Sequence, residues 1–400
     1  MALLERQKAE QACEILDELD IDCWLIWVRE TAELADPALK LVFPGSVVWK
    51  SAFLFTRSGE RIAIAGRFDV GGFPDGLFDR LVPYDKDVQP AFEAELRRLD
   101  PATIAIDVSP SNIAADGLTV GMRQLLDDYL ASTPYGERLV SAEELIGRLR
   151  ARKLPDEIAR IERAVKITET IFDEVIGQLK VGQTEIEIQR MFHERMEAHG
   201  VGHAWHRGHN PAVDAGPDKA FGHLGPTDNR TKTGHLLHFD FGVRLDGFCS
   251  DLQRMVFFGA PSEVPEEVAR AFESVRDAIE RAAEELRPGR LGHEIDAVAR
   301  SFLVERGYDE YLHALGHQVG RSAHDGGTVL GPPWERYRAA AGRPVEDGSV
   351  FTLEPHVKTD GFGMLALEED VLVTAEGCRF LAAPQTELIF VDRPHDPKTR

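Results

Sequence analysis

Residues 179–200 read LKVGQTEIEIQRMFHERMEAHG, and residues 286–307 read LRPGRLGHEIDAVARSFLVERG. The two stretches match at Leu179/Leu286, Gly182/Gly289, Glu187/Glu294, Ile188/Ile295 and Gly200/Gly307. Each reads as a turn followed by a helix closed by glycine, the residue that best tolerates the left-handed backbone at a helix end. Each also follows a longer helical pattern. The first opens at Pro155, with Asp156 and Glu157 suited to the positive end of a helix, and the second opens at Pro265. Further along, HFDFGVRLDGF (238–248) aligns with TLEPHVKTDGF (352–362), so Asp240 falls on Glu354 and two Asp-Gly-Phe turns coincide. Two matches in the same order predict a duplicated domain whose helix-helix-hairpin halves are related by a pseudo-twofold axis and share a central site.

That domain is expected to span 151–400, the boundary falling in the basic stretch before Pro155. Residues 1–150 read as a smaller α/β domain. Leu3, Leu4, Ile15, Leu16 and Leu19 mark an opening amphipathic helix, and CWLIWV at 23–28 is a buried strand. Residues 52–55 and 61–65 flank a turn at Ser58-Gly59, residues 103–108 form another strand, and 118–129 form a helix. No set of residues in this domain converges on recognisable chemistry.

Composition narrows the function classes. Hydrophobic residues make up 43% and charged residues 28%, enough apolar material for a sizeable core. A net charge of −22 repels phosphate backbones and anionic lipid, which argues against nucleic-acid and membrane partners. Cys13, Cys23, Cys249 and Cys378 form no CxxC pair, which fits reduced thiols and a cytoplasmic location. The first twenty residues carry charges from Glu5 onward and have no apolar core of a signal peptide.

Each half places two acids about its hairpin turn, Asp240 and Asp251 in the first and Glu354 and Glu368 in the second. Residues so placed across an antiparallel hairpin meet on one face. The acids lie in otherwise apolar runs (LLHFDFG, VFTLEP, GMLALEEDVLV), with no Lys or Arg at matching positions. Four ionised carboxylates in one buried space need compensation, and divalent cations would supply it. The plain alternative is solvent-facing acids on edge strands. Histidine breaks the symmetry: His313, His317 and His324 fall within twelve residues of a Gly-flanked loop. That number favours one ligand plus groups that contact substrate. His223, in FGHLGPTDNR, is a further candidate.

With DFGVRLDGFCSD, GHQVGRSAH, TLEP and LEEDVLVT on view, the second domain resembles the pita-bread metallopeptidases: methionine aminopeptidase, aminopeptidase P, prolidase and the metal-free creatinase. The first domain is similar to the creatinase-type N-terminal domain of the proline-directed members. The resemblance implies an α/β (α+β) pita-bread fold and five metal ligands, Asp240, Asp251, His317, Glu354 and Glu368. Glu368 is preferred to Glu369 because the family's ligand stands three residues before the VLVT-like strand. Asp251 and Glu368 would bridge two divalent ions per subunit, with Mn²⁺ first and Zn²⁺ or Co²⁺ as alternatives. The family implies a water activated between ions roughly 3.5–4 Å apart. Glu354 would be the proton acceptor, and His223, His313 and His324 would stand on the substrate side.

Three positions depart from the family pattern. Ala366 stands where Arg is usual, Lys358 replaces the Tyr of EPGxY, and Gln253 replaces a common Thr. They touch substrate orientation rather than the five ligands. Arg336, Arg338 and Arg343 are sources for a carboxylate clamp, Arg338 being the choice. The expected activity is Xaa-Pro dipeptidase (prolidase), acting on a small peptide in a cytoplasmic homodimer. The rivals are an aminopeptidase P acting on longer peptides, a lyase on the same scaffold, and a non-catalytic binding module. Loss of the metal ligands marks binding modules, and all five are present here.

Overall fold

A computed structural model describes residues 2–217 and 224–391. The chain divides into two compact units, Met1–Arg150 and Ala151–Arg400.

In the first unit a six-stranded mixed sheet runs in the order Arg80–Tyr84, Arg61–Gly66, Ser51–Thr56, Cys23–Val28, Ile104–Ile106, Leu139–Ser141. Cys23–Val28 has no polar alternation because both of its faces are covered. Trp24, Ile26 and Val28 pack with the helices Ala2–Glu18 and Glu143–Ala151. Cys23, Leu25 and Trp27 pack with Gln89–Leu99 and Val120–Leu130.

The second unit begins with helices Pro155–Ile176 and Glu185–His199, echoed by Glu266–Glu285 and Gly292–Glu305. The repeated glutamates Glu187 and Glu294 do the same job in both halves. Each accepts a backbone N–H at the start of its helix, from Thr184 at 2.8 Å and from Leu291 at 3.0 Å. These N–H groups have no partner inside the helix, so the side chain satisfies a donor that burial would otherwise strand.

Behind the first helix pair lies a sheet in the order Ile389–Phe390, Leu252–Phe257, Leu236–Phe241, Ala212–Ala215. The connection between its two central strands is a β-ribbon that turns at Asp246-Gly247. Both turn residues have positive φ (51° and 83°), as a two-residue hairpin loop twisted with its strands requires. Gly242 is demanded by crowding: a Cβ there would lie 2.0 Å from the Ser250 carbonyl oxygen. In the second half, Val350–Leu353 pairs with Glu369–Thr374, and the ribbon His356–Thr359/Gly363–Ala366 projects between them. Val357, Leu365, Val371 and Val373 belong to the core that this half shares with helix Glu266–Glu285. No helix among the described residues is long and apolar enough to cross a membrane.

Candidate metal centre

The two hairpins carry their acids to one place. Asp240 lies opposite Gln253 in the register, so Asp251 is its diagonal neighbour on the same face. The Gln253↔Glu368 bridge joins the halves, Gln253 N–H donating to the Glu368 carbonyl at 3.2 Å. Ligand atoms of Asp251, His317 and Glu368 all lie within 4.8 Å of one another. His317 Nε2 is 3.7 Å from Asp251 Oδ2 and 3.4 Å from Glu354 Oε1. The structure thus brings Asp240, Asp251, His317, Glu354 and Glu368 together.

Electrostatics in this cluster are one-sided. The Asp251 carboxyl is held well above the ordinary carboxylate range by burial, then by Asp240, Asp370 and Glu354. Glu368 is raised likewise by burial and then by Asp251, Glu354 and Asp240. Glu354 is raised by burial and Asp240, against a hydrogen bond from Thr352. No Lys or Arg stands among these influences. Burial pushes the His317 ring down to about 3, so it is neutral near pH 7. Its Nδ1 faces the Gln318 carbonyl at 3.3 Å and therefore carries the hydrogen, which leaves the Nε2 lone pair facing carboxylate oxygens. A lone pair and several carboxylates converging would repel one another once ionised. A divalent cation suits that donor set of hard oxygens and one imidazole.

Neighbouring acids are sorted by strand parity. Glu369 points away from the cluster into a bidentate pair with Arg254, at 3.1 and 3.2 Å, both side chains buried. Asp370 returns to the cluster side and accepts the Asp251 N–H at 3.0 Å, fixing the backbone of that residue.

The histidines differ in placement. The His324 ring meets His317 edge-on at 4.3 Å between centroids. His313 engages both ring nitrogens, Nδ1 with the Ala314 carbonyl and Nε2 with His356 Nδ1, each at 2.6 Å. His223 and the Arg338 side chain lie outside the described residues. Arg336, the alternative clamp, stacks on Trp334 and Tyr337 and donates to the Leu312 carbonyl.

Sequence reasoning missed a polar line beside the acids. His238 bonds Asp214 through Nδ1 (3.0 Å) and Gln253 through Nε2 (2.8 Å), all three buried. Burial works against a charged His238 ring, but the Asp214 hydrogen bond and charge outweigh it and raise its pKa. The signal was available: His238 and Asp240 are two apart on one strand, hence on one face.

Two duplicated halves closing around four carboxylates and a neutral imidazole define a metal-dependent hydrolytic enzyme. Comparison with known proteins agrees. Residues 159–375 match the profile of metallopeptidase family M24. The chain is 30% identical over 281 residues to a Xaa-Pro dipeptidase of Lactobacillus helveticus, covering 70% of this chain and 72% of that one. An X-Pro aminopeptidase structure from Thermotoga maritima MSB8 superposes with a TM-score of 0.71 at 25% identity, covering 96% and 99% of the two chains. A Xaa-Pro dipeptidase from Bacillus anthracis gives 0.73 at 21% identity, covering 98% and 100%. The chain belongs to metallopeptidase family M24 and has its pita-bread fold. It is a metal-dependent peptidase.

Proposed function

We propose that the protein is a Xaa-Pro dipeptidase, hydrolysing the bond before a C-terminal proline. The observation that carries this reading is the convergence of His317 Nε2 with the carboxylates of Asp251, Glu354 and Glu368. Similarity to the Lactobacillus helveticus dipeptidase supports the substrate class.

Asp240, Asp251, His317, Glu354 and Glu368 would hold two divalent cations, Mn²⁺ in preference to Zn²⁺ or Co²⁺, which when bound lower the pKa of water and polarise a carbonyl. Glu354 takes the proton of the attacking water on Oε1. Its neighbour Thr352 donates to that oxygen from Oγ1 at 3.4 Å and so holds it in place. A carboxylate set beside the attacking water suits a group that accepts a proton and then returns it. The same Glu354 delivers the proton to the proline nitrogen as the bond breaks. His324 holds the carbonyl or proline end of the substrate, and His223 stabilises the tetrahedral intermediate or hydrogen-bonds near the leaving nitrogen. His313 stands on the substrate side, and Arg338 pairs with the free carboxylate. A prolyl bond has no N–H, so recognition rests on ring shape, the carbonyl and the chain ends. Residues 1–150 are the creatinase-like domain and 151–400 the catalytic one, in a cytoplasmic homodimer.

The second reading is an aminopeptidase P acting on longer Xaa-Pro peptides. The resemblance to the Thermotoga maritima X-Pro aminopeptidase favours it. Hydrolysis of Leu-Pro and Leu-Pro-Gly side by side, with Mn²⁺ or with chelator, separates them. Chelator-sensitive cleavage of the dipeptide alone is the expected result. Comparable or faster cleavage of the tripeptide moves the assignment to aminopeptidase P. Cleavage of neither, with metal bound, refutes both.

A further inference from the structure

One ribbon of the second half holds two of the departures noted in the sequence, and they are not scattered. Strands His356–Thr359 and Gly363–Ala366 pair so that His356 stands directly opposite Ala366 and Lys358 opposite Met364. These four side chains share one face, because residues two apart on a strand point the same way. The other face, with Val357 and Leu365, is sealed in the core. At the end nearest Glu354, the small Ala366 leaves room beside it for an imidazole.

His356 uses that room to reach His313. The two rings stack with centroids 4.7 Å apart at 23°, and His313 Nε2 lies 2.6 Å from His356 Nδ1. Hydrogen-bond chemistry fixes the direction of the contact. His313 Nδ1 faces the Ala314 carbonyl, which can only accept, so that nitrogen carries the hydrogen. A neutral His313 then has its lone pair on Nε2, and His356 Nδ1–H is the donor. The backbone of His313 is clamped from the other side: Arg300 donates to its carbonyl at 2.7 Å and is itself locked bidentately to Asp296 at 2.6 and 2.7 Å. The clamp sets where the His313 backbone lies, and His356 bonds the Nε2 end of the ring.

We infer that His356 is a positioning residue, holding His313 in one ring orientation and in the Nδ1–H tautomer on the substrate side of the proposed peptidase site. This rests on the reading of the site as a dipeptidase centre only for its kinetic consequence; the tautomer itself does not depend on it. An imidazole whose orientation is set by a second group is more effective than a ring free to turn, because a misplaced or flipped ring offers the wrong atom.

The test compares His356→Leu, which removes the donor, with His356→Asn, whose amide N–H can occupy the place of Nδ1–H. Both are made in the full chain, alone and with His313→Gln. The expected result for Leu-Pro is a fall in kcat of about tenfold or more for His356→Leu with KM changed less than about threefold. His356→Asn should recover most of that loss. In the His313→Gln background His356→Leu should change kcat less than about twofold, since coupled residues are non-additive. Equal losses in both backgrounds, or an Asn variant as slow as the Leu variant, overturn the inference. Nitrogen-15 NMR of the histidine side chains, with diamagnetic Zn²⁺ present, reads the tautomer without turnover. A single Nδ1–H pattern for His313 that becomes mixed in His356→Leu supports the assignment, and an unchanged pattern overturns it. Failure of the unmodified protein to cleave Leu-Pro would refute the dipeptidase reading and leave the NMR comparison to decide this one.

Discussion

Replacing Glu368 by Gln should stabilise the metal-free protein and destabilise the metal-loaded one. In the folded chain Glu368 is 1% exposed, with ligand atoms of Asp251 and His317 within 4.8 Å. Two ionised carboxylates at that distance repel by about 3.5 kcal/mol at an effective dielectric of 20. Proton uptake relieves part of this, leaving about 2 kcal/mol for a neutral isostere to recover. For a unit of this size that corresponds to a rise in Tm of about 4–8 °C. The gain should grow with pH. Because burial and the neighbouring acids raise the Glu368 pKa, the folded state binds more protons than the unfolded state above the ordinary Glu value. The stability of the metal-free chain is therefore fully present below that value and is lost as pH rises through the folded-state pKa. With a cation at about a hundred times its Kd the unmodified protein gains about 2.7 kcal/mol, and the variant, lacking one ligand, gains far less. Thermal melts of both proteins from pH 5 to 8, after chelation and again with Mn²⁺, should show the order of Tm values reversing. A variant less stable in both conditions, with the same cation-induced rise, would show that Glu368 neither strains the metal-free fold nor holds a cation.

Three further outcomes follow from neighbouring contacts. Arg254→Ala strands the buried Glu369 carboxylate and should cost about 3–5 kcal/mol in urea unfolding, whereas a paired Arg254→Met/Glu369→Leu change should recover most of it. Gly242→Ala forces a methyl group against the Ser250 carbonyl and should lower stability by about 2 kcal/mol or more, with weakened Mn²⁺ binding because Asp240 and Asp251 flank that crossing. Cation affinity should fall as pH drops from 8 to 6, since Asp251, Glu354 and Glu368 all take up protons more readily than ordinary carboxyls. His317, at about 3, should not contribute to that loss; calorimetric titrations at several pH values would reveal it if it did.

What the chain spells out and what it conceals divide along physical lines. The duplication was legible because the same local problems recur in both halves: Glu187 and Glu294 cap helix starts, while Gly200 and Gly307 close the helices with positive φ. The acids were legible because charge in apolar strands is unusual. Strand parity also separates Glu368, in the acid cluster, from Glu369, in an ion pair with Arg254. His238 and His356 were overlooked because each needs a partner distant in sequence, Asp214 for one and His313 for the other. In the first unit, strands Arg80–Tyr84 and Leu139–Ser141 escaped notice because both are exposed edges with weak apolar patterns. The former even contains Pro83, which an edge strand tolerates.

The most direct test of the whole account is Leu-Pro hydrolysis measured against Mn²⁺ added stepwise to the chelated protein. Cations bound per chain would be counted in the same samples. No hydrolysis is expected without metal, and activity should climb and level off as the second equivalent binds. Hydrolysis that persists in chelator, or its absence with two equivalents bound, would contradict it.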